Sequence, residues 1–183
     1  AAAGTLGNAF SHATNLPMYS SLAGGTDDNA PTDGELQTGF AKFANDEAVD
    51  VSLIPTGAVS ATVSKYVVEN VAEVRKDCMV FISPELADAQ SSTPATDIKD
   101  FRTTQNINSS FAVMDSGYKY QFDRYNDVFR YVPLNGDVAG CLVRTDLVAD
   151  PFFSPAGFNR GQIKNAVKLA YSPDKADRDT LYK

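Results

Sequence analysis

Ser60-Ala61-Thr62-Val63-Ser64-Lys65-Tyr66-Val67-Val68-Glu69-Asn70-Val71-Ala72-Glu73-Val74-Arg75-Lys76-Asp77-Cys78-Met79-Val80-Phe81-Ile82 changes its hydrophobic period partway along. Val63, Tyr66, Val67, Val71 and Val74 fall on one helical face, with Glu69 and Glu73 opposite and Lys65 spaced to pair with Glu69. Cys78 to Ile82 is then apolar without interruption, the pattern of a strand covered on both faces. Upstream, Val49, Val51 and Leu53 alternate with Asp50 and Ser52 as another strand, which Pro55-Thr56-Gly57 breaks before the helix begins near Ser60. Strand, helix and apolar strand make a βαβ unit, for which a right-handed crossover is expected.

Downstream, the polar stretch from Pro84 to Asn108 is too long for a bare loop in a compact domain, and Ile98 and Phe101 can anchor one helical turn there. Ser110 to Asp115 reads as a strand. Tyr118, Tyr120 and Phe122 alternate with Lys119, Gln121 and Asp123, and a second alternating run from Val128 to Val132 makes a hairpin through Arg124-Tyr125-Asn126-Asp127. Asn135 is expected to cap a helix whose face is Val138, Cys141, Leu142 and Thr145, ended by Asp150-Pro151.

Phe152, Phe153 and Phe158 lie among Pro155, Gly157 and Gly161, which predicts a rigid corner with its rings buried around tight turns. A last strand near Ala166 to Leu169 precedes Ser172-Pro173-Asp174, with Ser172 as helix cap and Pro173 in the first helical position. At the other end, Thr32 or Asp33 can cap a helix carrying Leu36, Phe40 and Phe43 on one stripe. Residues 1–31 are rich in Ala, Gly, Ser, Thr and Asn without periodicity. The predicted organisation is an irregular entry segment, 1–31, and an α/β domain, 32–183, with a mixed sheet and flanking helices.

At 183 residues and 43% hydrophobic the chain can bury one core. Its net charge of -7 is dispersed, and no Lys/Arg run follows a phosphate backbone, which argues against direct nucleic-acid binding. No apolar stretch approaches the roughly 20 residues of a membrane helix, so membrane insertion is not expected. Cys78 and Cys141 sit among apolar neighbours and read as reduced thiols. The absence of Met at position 1 and a helical pattern running to Lys183 without a cap suggest part of a longer polypeptide.

Motifs that could carry chemistry have plainer readings. Asp115-Ser116-Gly117 looks like an aspartic-protease turn, but such sites need two carboxylates and only one copy is present, which leaves a strand-ending turn. A serine hydrolase needs a general base, His12 is the sole histidine, and no Gly-x-Ser-x-Gly elbow occurs. Asp27, Asn29, Asp33 and Glu35 around Gly34 offer oxygens without calcium-loop spacing, so Asx turns and a helix cap explain them. The glycines at Gly24-Gly25 and Gly157 to Gly161 lack a phosphate loop's Gly-Lys-Ser/Thr ending. The hairpin aromatics lack a basic face for stacking bases and divide between core and subunit interface. No cofactor or metal site is expected.

Several segments together resemble the tail sheath proteins of contractile-tailed bacteriophages. They are Leu22 to Asp33 with Gly24, Gly25 and Asp27; Asp50 to Ile54; Ala72 to Pro84; Tyr125 to Gly140 with Pro133, Asn135, Gly136 and Asp137; Pro155 to Gly161 with Gly157, Asn159 and Arg160; and Leu169 to Pro173. The resemblance implies a subtilisin-like topology for the core and a mechanical part rather than an enzyme. It implies homo-oligomers in six-fold stacked rings around a tail tube protein, with baseplate and tail terminator proteins as further partners. It also implies assembly in the host cytoplasm and a place in the virion tail. Sheaths of bacteriocin or type VI-like injection systems, and a hydrolase with a subtilisin-like sheet, are the alternatives. Basic side chains in an acidic chain suggest an oppositely charged partner, so Arg160, Lys164 and Lys168 are candidate contacts to neighbouring subunits or the tube.

Overall fold

A computed structural model describes residues 24–26 and 30–182. His12, Asp27 and Asn29 lie outside the described residues, as does most of the entry segment. The elements below belong to the compact unit Thr32–Lys183.

The first helix, α1 (Asp33–Phe40), is set by a reciprocal cap in which Thr32 Oγ1 accepts from the Glu35 amide and Glu35 Oε2 accepts from the Thr32 amide at 2.7 Å. Of the two residues able to cap it, Thr32 does so. Asp33 instead accepts a 2.7 Å bond from Ser60 Oγ, at the start of the next helix. Both carboxylates considered for calcium within this segment are therefore engaged with protein groups.

The first strand, β1 (Leu53–Pro55), begins later than the alternation of Val49 to Leu53 predicted and includes Pro55. Among the described residues it pairs only with β2 (Met79–Ile82), so Pro55 sits on an edge strand, where its missing N–H removes no ladder bond. Residues 49–51 run as a loop held by Arg75, whose buried guanidinium donates to the Phe43 carbonyl at 2.8 Å and the Val49 carbonyl at 2.7 Å while bracketing Asp77.

The helix expected from Ser60 forms as α2 (Ala61–Val67), a π-helical turn (Val68–Ala72) and a last turn, α3 (Glu73–Arg75). Ser60 Oγ caps it by accepting from the Val63 amide, and Lys65 lies 3.8 Å from Glu69. Val63, Val67 and Val71 are fully buried as predicted, but Val74 is 63% exposed. The wider π turn rotates Val74 off the apolar face and brings Val68 and Ala72 onto it.

Cys78 is buried immediately before β2, the central strand of a parallel sheet in the order β1-β2-β3, with β3 spanning Ala112–Met114. Ile54, Val80 and Ile82 meet Val63, Val67, Val71 and Phe101 in the core. The segment read as holding one helical turn forms two helices, α4 (Leu86–Ala89) and the longer α5 (Pro94–Gln105). Pro94 opens α5 in the first helical position, and Ala95, Ile98, Phe101 and Gln105 supply a buried stripe masked in the sequence by interleaved polar residues.

A separate antiparallel sheet has the order β5-β4-β6, with β4 (Tyr118–Asp123), β5 (Val128–Pro133) and β6 (Lys168–Leu169). The predicted hairpin forms; Asp123 accepts from the Tyr125 and Asn126 amides across its turn. Its aromatics divide between core and surface: Tyr118 is buried, Tyr120 and Tyr131 are half-buried, and Phe122 and Phe129 are exposed. Three helices follow: α6 (Asn135–Val148), α7 (Gly157–Arg160) and α8 (Lys175–Leu181). Asp174, not Ser172, caps α8, because its carboxylate reaches the Asp177 amide at 2.8 Å. The chain is thus α/β, with parallel and antiparallel strands flanked by helices.

Candidate functional site

The three parallel strands end beside the start of α6, and polar groups from each converge there. Asn135, predicted as the cap of α6, lies inside the helix as its first residue, with Leu134 in the cap position and no side-chain cap. Its side chain reaches back to β1 instead. Nδ2 donates to the Gly57 carbonyl at 2.8 Å and to Thr56 Oγ1 at 3.4 Å, and the backbone N–H donates to Ser83 Oγ at 3.2 Å. Ser83 Oγ donates in turn to Asp115 Oδ2 at 2.7 Å, and Asp115 Oδ1 accepts from the Gly117 amide at 2.9 Å.

Burial pushes the Asp115 carboxyl up from 3.8 to about 6, aided by the nearby Asp137 charge and opposed by the bonds from Ser83 and Gly117. The Tyr118 hydroxyl is raised to about 12 by burial, and then by the charges of Asp115, Glu85 and Asp88.

This geometry joins elements. Ser83 is 1% exposed and its proton is directed at a carboxylate, so it presents no nucleophile to a substrate. Asp115 terminates β3 in a turn closed by Gly117, the plainer reading of its motif. Among the described residues, no three or more His, Cys, Asp or Glu side chains group as metal ligands.

A second polar node holds the strap between α7 and β6. Lys119, expected on the polar side of β4, is only 6% exposed, because Asp137 of α6 and the strap at Lys164 close over its side chain. Its ammonium donates to Asp137 Oδ1 at 2.8 Å and to the Lys164 carbonyl at 3.2 Å, so the motif residue Asp137 fastens α6 to β4 and to the strap. Pro133 closes the same unit by pairing with Tyr118, and Gly136 is exposed on the first turn of α6.

The corner from Pro155 to Gly161 is closed differently from the prediction. Phe152 and Phe158 are 82% and 91% exposed, and Phe153 is 43% exposed, so the rings do not form its core. The backbone closes it. Gly157 has φ +81°, and a Cβ on Gly161 would lie 2.9 Å from the Ala156 Cα. Arg160 Nε donates to the Ser154 carbonyl at 3.0 Å, and Arg144 on α6 donates to the Arg160 carbonyl. With those bonds made, the aromatic rings are left facing solvent.

Of the three predicted cationic contacts, Arg160 is thus partly committed to its own corner, its guanidinium 5.5 Å from the Phe153 ring centre. The Lys164 and Lys168 side chains are exposed, with the Lys168 ammonium 5.1 Å from the Tyr120 ring centre. Asn159 is exposed and Pro155 half-buried, while Gly24 adopts φ +82° beside Gly25. Thr56, Ser83, Lys119 and Arg144 were not singled out from the sequence. Their partners are distant along the chain, and only Lys119, a lone cation between tyrosines, carried a local hint.

A family model described as the phage tail sheath protein central domain matches residues 29–183. The chain belongs to the phage tail sheath family. The tail sheath protein of Enterobacteria phage T4 is 41% identical over an alignment 196 positions long, covering 94% of this chain and 30% of that protein. The tail sheath protein of Vibrio phage KVP40 is 38% identical over 183, covering 88% and 27%. That of Salmonella phage ViI is 32% identical over 111, covering 60% and 18%. The chain therefore spans less than a third of these relatives' length.

Proposed function

We propose that this chain is part of the core of a contractile tail sheath subunit, with residues 32–183 as its α/β domain and 1–31 as an entry segment. The subunit polymerises helically around a tail tube as six-fold stacked rings, bears on baseplate and terminator proteins, and shortens to drive the tube through a host envelope. Its work is mechanical, without catalysis or cofactor. It is assembled in the host cytoplasm and resides in the virion tail. The carrying observation is the family match over residues 29–183, supported by three tail sheath relatives.

The physical requirements agree with this reading. Subunits that move nearly as rigid bodies need internally fastened elements, which the nodes at Asn135 and Lys119 provide. An open helix needs two different complementary surfaces on each subunit. Exposed Phe152 and Phe158, with Leu147 and Val148 at the end of α6, offer an apolar contact, and Arg160, Lys164 and Lys168 offer a basic one. Electron microscopy of the concentrated full-length protein tests the reading: tubular polymers are expected, and a strictly monomeric protein would refute it.

A further inference from the structure

The two edges of the parallel sheet differ in how they are protected. On β1, Ser52 and Thr56 bond to β2 through the Met79 amide at 2.8 Å and the Phe81 carbonyl at 3.0 Å, so by alternation Leu53 and Pro55 turn their backbone outward. Pro55 has no N–H to offer there, one of the ways natural sheets close an edge. On β3, Phe111 and Asp115 bond to Val80 and Ile82, which turns the backbone groups of Ala112 and Met114 outward. They have no backbone partner among the described residues, and the strand Ala-Val-Met carries no charge or proline to deter one.

Two concavities border this edge. The smaller, about 120 Å³, is lined by Ile82, Arg102, Gln105, Ile107, Ala112 and Met114. Gln105 is 1% exposed, yet both its amide nitrogen and its amide oxygen lack a partner among the described residues. A buried amide left without a donor or acceptor bears the desolvation cost of its polar atoms uncompensated, so it marks a place where a polar group belongs. The volume is about ten times the roughly 10–15 Å³ one water requires, enough for a side chain. The larger, about 680 Å³, continues past Met114, Asp115 and Ser116 towards Leu181.

We infer that the free edge of β3 receives a further strand from the same sheath polypeptide, outside residues 1–183, which bonds to the Ala112 and Met114 backbone and places an amide or hydroxyl side chain against Gln105. The occupant is assigned to the same polypeptide because this chain spans only 27–30% of the T4 and KVP40 sheath proteins, leaving most of such a subunit outside it. The faces of the sheet are also covered, by α6 and by the π turn that follows α2, so a strand is the element that still fits at its side. The inference rests on the sheath reading given above.

Hydrogen exchange of the full-length protein, resolved to single amides, tests it in dilute monomer and in polymer. In the monomer, the Ala112 and Met114 amides are expected to exchange at least about 100-fold slower than unpaired chain. Exchange near the unpaired rate in the monomer overturns the inference, including the case where protection arises only in the polymer and so comes from a neighbouring copy. A photo-crosslinking residue at exposed Asn108, beside the smaller cavity, is expected to attach to a segment outside residues 1–183. Attachment to residues 1–31 or to a second copy also overturns it. Failure to polymerise would count against the sheath reading, whereas tubes with rapidly exchanging edge amides would count against the strand alone.

Discussion

Asn135 Nδ2 donates to the Gly57 carbonyl at 2.8 Å, joining the first residue of α6 to the loop after β1 across 78 positions of sequence. The residue is 2% exposed, so bulk solvent does not reach the amide. Asn135→Leu is expected to destabilise the protein by about 2 kcal/mol, since it leaves the Gly57 carbonyl and the Thr56 hydroxyl short of a partner. Urea unfolding checks this, and Asn135→Asp should be no milder, because it buries a charge facing a carbonyl.

Asp115 gives the fold a pH response of defined sign. Its folded value, about 6, is above the unfolded 3.8, so the folded state holds the proton more tightly and ionisation works against folding. The penalty is full above about 6, shrinks as pH falls through that value and is gone below 3.8; at its largest it is on the order of 3 kcal/mol. Relative to Asp115→Asn, the wild type should therefore gain stability from pH 7 to pH 4. Glu35, Asp77 and Asp123, held low by their hydrogen bonds, pull the other way as pH falls, but equally in both proteins. The difference between urea midpoints isolates Asp115, and a pH-independent difference would contradict the assignment.

Arg75 fastens the loop before β1 by bonds to the Phe43 and Val49 carbonyls. Arg75→Met keeps much of the stem's packing but leaves both carbonyls unpaired, so it should lower the unfolding midpoint more than Asp77→Asn. Hydrogen exchange should also quicken around residues 43–51 in the methionine variant.

The corner depends on two glycines for separate reasons. Gly157→Ala should cost about 1 kcal/mol, because φ +81° disfavours any L side chain. Gly161→Ala should cost more, since the backbone of Ala156 and Gly157 lies 2.9–3.0 Å from the added carbon and cannot swing aside. Thermal unfolding of the two variants checks the order.

Phe158, 91% exposed, contributes little to the folded monomer. Phe158→Ser should change stability by less than about 0.5 kcal/mol while reducing tube formation of the full-length protein. Charge reversal at Lys164 and Lys168 should act in the same direction, read as tube yield against salt concentration. Unchanged yields in all three variants would remove this face from the list of subunit contacts.

The hairpin and the apolar strand β2 were legible because each declares itself over a few neighbouring residues. The α2 segment was legible until its π turn, where an i+5 bond put Val74 on the wrong side of a pattern read at 3.6 residues per turn. The helix α5 was hidden because Thr96, Lys99 and Arg102 interrupt a real stripe at Ile98, Phe101 and Gln105. The site was less legible. Asn135 and Asp137 could be named as motif residues, but their roles depend on Gly57, Ser83 and Lys119, brought near only by the fold. The aromatic corner failed for a related reason: composition announces a tight turn without saying which way its rings face.

The two thiols differ in a way that makes the molecule its own gauge of opening. Cys78 is 4% exposed and its thiol is pushed up by burial, so both access and the thiolate needed for alkylation are withheld while the strand stays in place. Cys141, half-buried on α6, remains within reach of a reagent in the native protein. Labelling with iodoacetamide should mark the second quickly and the first only when β2 comes free, so the ratio of the two adducts clocks core rupture without any engineered probe.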